Sequence, residues 1–207
     1  MKKRGNKMGD YKDGTILDVV NRRDMAGLEA LLKSGNYELD AKNSIGETAL
    51  LQTVQRDDIA MAKVLIDAGA NINIQDDIKD SPYLLACAQG RTEILKYMLE
   101  RAKPEPDQHV YNRYGGNGLI PASEKGHIEN VRLLLDDGRV DIDHQNKFGY
   151  TALIEAVALT DDSKLYQDIV KLLIDAGANK DLRDADGKTA LDYAEQKGST
   201  EMIALLS

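Results

Sequence analysis

The sequence predicts an all-α solenoid of about six stacked helix-turn-helix units joined by short β-hairpin loops. Three observations predict it. The stretch LIDAGAN is written twice, at 65–71 and again at 173–179. A small residue opening an apolar run falls at Thr15, Thr48, Ser81, Asn117, Thr151 and Thr189, in steps of 33, 33, 36, 34 and 38 residues, and a near-constant period of that length marks a repeat array. Apolar residues make up 42% of the chain while aromatics are only 5% and Trp is absent, so Ala and Leu carry the core, as in closely packed helices. The 207 residues accommodate one such array. Its units are expected at about 13–43, 44–76, 77–111, 112–146, 147–184 and 185–207.

Before the array, residues 1–12 of MKKRGNKMGDYKDGT carry basic residues with no apolar run behind them, and read as a short, mobile basic leader. The first unit, TILDVVNRRDMAGLEALLKSG, has the place of an N-terminal cap. In the second, TALLQTVQ (48–55) opens with a Thr suited to cap a helix. Asp57 and Asp58 mark a turn, and IAMAKVLIDAG (59–69) has apolar residues at helical spacing. Gly69 permits the left-handed backbone that ends a helix, and ANINIQDDIKD then alternates apolar and polar residues as a short extended hairpin would. The third unit runs on through RAKPEPDQHVYNRYGG (101–116), where two prolines forbid a continuing helix. The fourth reads GGNGLIPAS and closes on LLDDGRVDID. The fifth carries DDSKLYQD (161–168) between its helices, which lengthens the second helix backwards. The last unit stops at IALLS, as a C-terminal cap. Closing glycines stand at Gly35, Gly69, Gly138 and Gly177, with Ala102 in that place once. Neither helix of such a unit buries its apolar face alone, so stability comes from stacked neighbours.

These units resemble ankyrin repeats, a family with a period of about 33 residues, a β-turn and two antiparallel helices. The openings GETALLQTV, KDSPYLLAC, GGNGLIPAS, GYTALIEAV and GKTALDYAE and the closes LIDAGANIN, LLDDGRVDID and LIDAGANKD carry the resemblance, which extends from about Asp13 to Ser207. The plain repeat core suggests a bacterial source. One departure concerns the family's opening His: Leu51, Leu84, Ile120, Ile154 and Asp192 take its place. The hydrogen-bonded tie between repeats that this His makes is then absent, and apolar contact is expected instead.

Catalytic, metal and cofactor sites find no support. Cys87 in YLLACAQG occupies the small inward position of a first helix and reads as a packed thiol. His109, His127 and His144 lie in three different contexts with no i,i+4 partner. DLRDADGKTALDY places Leu182 and Tyr193 where the first and last ligands of an EF-hand loop belong. Ser123 in GGNGLIPAS fits no nucleophile motif. The acidic pairs Asp57–Asp58, Asp136–Asp137 and Asp161–Asp162 recur at turns, as solvated punctuation. A net charge of −8 argues against nucleic acid, and no apolar run approaches a membrane span.

What remains is surface. The resemblance implies that hairpin tips project along one edge, that first helices line a concave face, and that another protein is bound there. Aromatic and Arg side chains favour binding hot spots. Tyr111, Arg113 and Tyr114 on one tip, with Phe148 and Tyr150 on the next, form the candidate patch. The neighbouring tip adds Ile78 and Lys79, and Gln52, Gln55 and Arg56, then Gln89, Glu124 and Lys125, are candidates on the concave face. The expected function is protein–protein recognition as adaptor, scaffold or inhibitor, by a monomer in the cytoplasm. A secreted or periplasmic location would follow from a signal peptide removed upstream, and with it a role as an effector acting on a host protein. An enzyme or metal-binding protein is the remote alternative.

Overall fold

The computed structural model describes residues 14–207; the leader expected at 1–12 and the first residue of the array lie outside the described residues. Twelve helices follow in six pairs: α1 (Ile16–Asn21) and α2 (Met25–Ser34), α3 (Ala49–Arg56) and α4 (Ile59–Asp67), α5 (Pro82–Ala88) and α6 (Thr92–Arg101), α7 (Leu119–Glu124) and α8 (Ile128–Asp137), α9 (Ala152–Ala158) and α10 (Lys164–Asp175), α11 (Ala190–Lys197) and α12 (Thr200–Leu206). The odd-numbered helices pack in one row, each on the next, and α4, α6, α8, α10 and α12 form a second row behind them. The core lies between the rows. Leu50, Leu51, Val54, Leu65 and Ile66 of the second layer and Ile94, Leu95 and Met98 of the third are essentially inaccessible.

The small residues that set the period start the first helices. The side chains of Thr15, Thr48, Ser81, Thr151 and Thr189 each accept from a backbone N–H in the first turn, satisfying donors that a helix leaves open. Asn117 serves the fourth layer from one residue further back, its Oδ1 accepting from Leu119 and Ile120. Gly118 follows because α7 approaches α5 closely: a Cβ there would lie 2.7 Å from Cys87 Sγ. In the fifth pair α10 does begin early, at Lys164.

Two expectations are corrected. The connections are tight turns rather than β-hairpins; among the described residues the only strand-like pairing outside helices is an isolated bridge between Lys42 and Thr48. Each tip is instead organised by one Asn or Asp, at Asn43, Asp76, Asn112, Asn146 and Asp184, whose side-chain oxygen accepts from the N–H groups two and four residues on. These bonds reinforce one backbone bond across each tip, such as Asn43 N to Glu47 O at 2.9 Å and Asn146 N to Tyr150 O at 3.0 Å, and close the turn within five residues. Nor does apolar contact alone replace the missing His ties. In each layer after the first, a side chain at or near the turn between helices reaches the C-terminal end of the preceding first helix. Arg56 donates to Val20 O at 3.1 Å, Arg91 to Gln55 O at 3.2 Å, Tyr166 to Glu124 O at 2.9 Å and Lys197 to Val157 O at 2.7 Å; His127 bonds the Ala88 backbone. Five sites with four residue types do one job, satisfying carbonyls at the negative end of a short helix.

Candidate partner-binding groove

The tips stack on one another by backbone bonds: Asp77 N donates to Ile45 O at 3.2 Å, Lys147 N to Tyr114 O at 2.9 Å, and Ala185 N to Phe148 O at 3.0 Å. After the proline-containing stretch, Gln75 Nε2 bridges to Tyr111 O instead. Between this edge and the first helices α3, α5, α7 and α9 lies a groove of about 1260 Å³. Its floor is largely apolar, with Leu84, Leu85 and Ala88 from α5 and Ile120 and Pro121 from α7. Its wall is the tip edge, where Ile78, Arg113, Tyr114, Phe148 and Tyr150 come together.

The aromatic side chains run in a ladder across layers. Ring centroids of Tyr114 and Phe148 are 6.3 Å apart, Phe148 and Tyr150 6.3 Å, and Tyr150 and Tyr193 6.2 Å at right angles, within the range of favourable ring contacts. The Arg113 guanidinium lies 5.3 Å over the Tyr114 ring. Tyr193 anchors the far end by donating to the Asp184 carboxylate, and Tyr150 and Tyr193 hydroxyls pair at 3.4 Å. Tyr114 and Phe148 nevertheless remain 51% and 54% exposed, and Leu159, at the end of the floor, 55%. Large apolar side chains are thus gathered openly around one concavity.

Glu155 is the unexpected member. It projects from α9 into the groove floor, is only 7% exposed, and receives one hydrogen bond, from Asn146 Nδ2 to Oε1 at 2.8 Å. Burial, helped by the negative charge of Glu124, pushes its carboxyl up to about 7, against the opposing pull of Asn146 and Lys125. It stands four residues after its cap, where the other layers have Val19, Gln52, Leu85, Pro121 and Tyr193. Glu155 is the one carboxylate in this column, a difference visible in the sequence once the units are aligned.

Of the other candidates, four stand outside the groove. Tyr111 stacks on His144, 4.4 Å between centroids and 10° from parallel, and His144 Nε2 lies 2.7 Å from Gly115 O; Tyr111 therefore braces a tip. Lys79 is exposed at a tip with φ of +68° and does not line the concavity. Gln52 is corrected: at 1% exposure it offers nothing to a partner, since it occupies the same inward position as Glu155 and donates to the buried Glu47. Arg56 is held by Val20 O and by Asn21 Oδ1 at 3.0 Å. Gln55, Gln89, Glu124 and Lys125 do line the groove.

The reactive side chains singled out in the sequence, Cys87 and Ser123, are packed in the core. Cys87 is fully buried and its thiol pushed far up by desolvation. It is expected to stay unmodified by a disulfide reagent in the native protein while reacting fully in urea; rapid labelling of native protein would contradict this packing. Ser123 is inaccessible. Among the described residues no three His, Cys, Asp or Glu side chains are grouped to hold a metal ion, and no helix is long and apolar enough to cross a membrane.

Comparison with known proteins gives a consistent result. The model for ankyrin repeats (3 copies) matches residues 17–112, 86–184 and 119–207. The putative ankyrin repeat protein YahD of Escherichia coli K12 is 38% identical over 161 residues, 78% of this chain and 79% of that one. Among solved structures, the ankyrin repeat protein EF0377 superposes with a TM-score of 0.90 at 56% identity, covering 95% of this chain and 98% of its own. An ankyrin repeat domain from Acinetobacter baumannii AYE gives 0.86 at 42% identity, covering 92% and 95%.

Proposed function

We propose a segment-capturing role on one established premise: the chain belongs to the ankyrin repeat family, whose members serve as protein–protein interaction modules and are in general not catalysts. The observation that carries the proposal is the groove, where exposed Tyr114, Phe148 and Leu159 face an apolar floor. The groove reaches from α3 to α9, four layers at roughly 10 Å per packed helix, or about 30 Å. That length matches about nine residues of extended chain, and the volume exceeds the roughly 300–1,000 Å³ of ordinary small-molecule sites.

Bonds between tips and ties between layers fix the walls before a partner arrives, so little conformational entropy is lost on binding. The protein then acts as adaptor, scaffold or inhibitor by holding a segment of its partner, and any reaction that results is the partner's own.

The test compares wild type with a Tyr114→Ala, Phe148→Ala, Tyr150→Ala triple variant in affinity capture from the source cell's lysate, with circular dichroism verifying that the variant is folded. Loss of three aromatic contacts at a hot spot is expected to weaken binding by about a hundredfold or more, removing captured bands. The same bands with both proteins would move the binding surface away from this groove.

A further inference from the structure

We infer that the groove selects a segment carrying one cationic side chain, Lys or Arg, between apolar residues, and that Glu155 together with Glu124 receives it. This deepens the groove reading and rests on it.

Three features of the site lead there. Glu155 lies in the floor with one carboxylate oxygen bonded by Asn146 and the other, Oε2, without a donor among the described residues. Oε2 therefore opens onto the groove, and a carboxylate whose residue is otherwise buried gains most from a cation placed against it. The cation nearest to hand, Lys125, does not supply that pairing: it is exposed, and its attraction is outweighed by burial and by Glu124. Glu124 ends α7 and Lys125 follows it as the cap; no charged group on α10 or α11, which also pack on α9, acts on Glu155. Arg113, the groove's other cation, is engaged over the Tyr114 ring. The site is thus short of one positive charge at its floor.

The surroundings suit a cationic side chain on an apolar stem. Tyr150 and Phe148 line the same groove and supply aromatic rings, which attract cations, and Leu85 and Pro121 offer the stem apolar contact. The chain's net charge of −8 favours approach of a basic segment over long range. A neutral apolar segment would bury the Glu155 carboxylate further with nothing in return, and an acidic one would add repulsion, so the same residue rejects both.

The experiment is selection from a displayed library of random twelve-residue peptides, with wild type, Glu155→Gln and the Tyr114/Phe148/Tyr150 triple variant as baits. Gln keeps the shape and can still accept from Asn146. Wild type is expected to enrich peptides with a Lys or Arg flanked by apolar residues, and Glu155→Gln to lose the basic preference while keeping the apolar one. A wild-type-selected peptide, titrated by fluorescence anisotropy, should bind about tenfold more weakly at pH 6 than at pH 8 as Glu155 takes up a proton, and Glu155→Gln should show no such change. Peptides that need the aromatic wall but show no basic preference would overturn this inference and leave the groove reading standing. Peptides indifferent to the triple variant, or no enrichment with any bait, would overturn both.

Discussion

Gly149→Ala is expected to lower the stability of the array by about 3 kcal/mol, against about 1 kcal/mol for Gly187→Ala. Both glycines occupy equivalent tip positions, with φ of +75° and +77°, a region that costs an L residue about 1 kcal/mol or more. They differ in what stands next to them. A Cβ on Gly149 would lie 2.7 Å from Ala185 N and 2.8 Å from Asp184 Cα, while one on Gly187, in the last layer, meets nothing within 4 Å. The contact at Gly149 is backbone on backbone and is held by the bond from Ala185 N to Phe148 O, so it cannot yield by turning a side chain. Because each layer of a solenoid is stabilised chiefly by its neighbours, the loss should appear as early unfolding of α11 and α12 in urea. Equal losses for the two variants would mean that the tips are not packed as tightly as the geometry requires.

Glu155→Gln should have the opposite sign, with a gain that grows as pH rises from about 4.5 and is full above about 7. Burial first, and Glu124 second, raise the carboxyl from its ordinary 4.5 to about 7 in the folded chain. Between those values the folded state binds more protons than the unfolded one, so stability falls as pH rises from 4.5 to 7, and the full penalty stands above 7. A shift of that size corresponds to something on the order of 3 kcal/mol. Gln does not titrate, so the variant should gain up to that amount at pH 8 and nothing near pH 4. Urea melts of both proteins at the two pH values measure it; an equal difference at both would show that the carboxylate is not destabilised by its site. An ionisable group that weakens the fold while facing a groove fits the compromise between stability and function that the proposed binding role would impose.

The sequence by itself determined the layers and the aromatic edge of the tips. Period, helix starts, and glycines after the second helices are local features: the Thr48 cap acts on Leu51, and the turn at Asn146 is closed within four residues. Such interactions are written in consecutive residues and read without knowing the stack. The aromatic tips were legible for a related reason, since residues at a projecting turn have few neighbours to bury them. What only the tertiary structure decided is where each side chain of a first helix points. Those helices are six to eight residues long, too short for an apolar stripe to fix their rotation, so the adjoining layers settle it. That rotation buries Gln52 among hydrogen bonds in one layer and opens the same position, Glu155, onto the groove in another. Equally non-local are Tyr111, committed to His144 across two tips, and the five ties from Arg56 to Lys197. Their carbonyl partners stand more than thirty residues away, and only folding brings the two ends together.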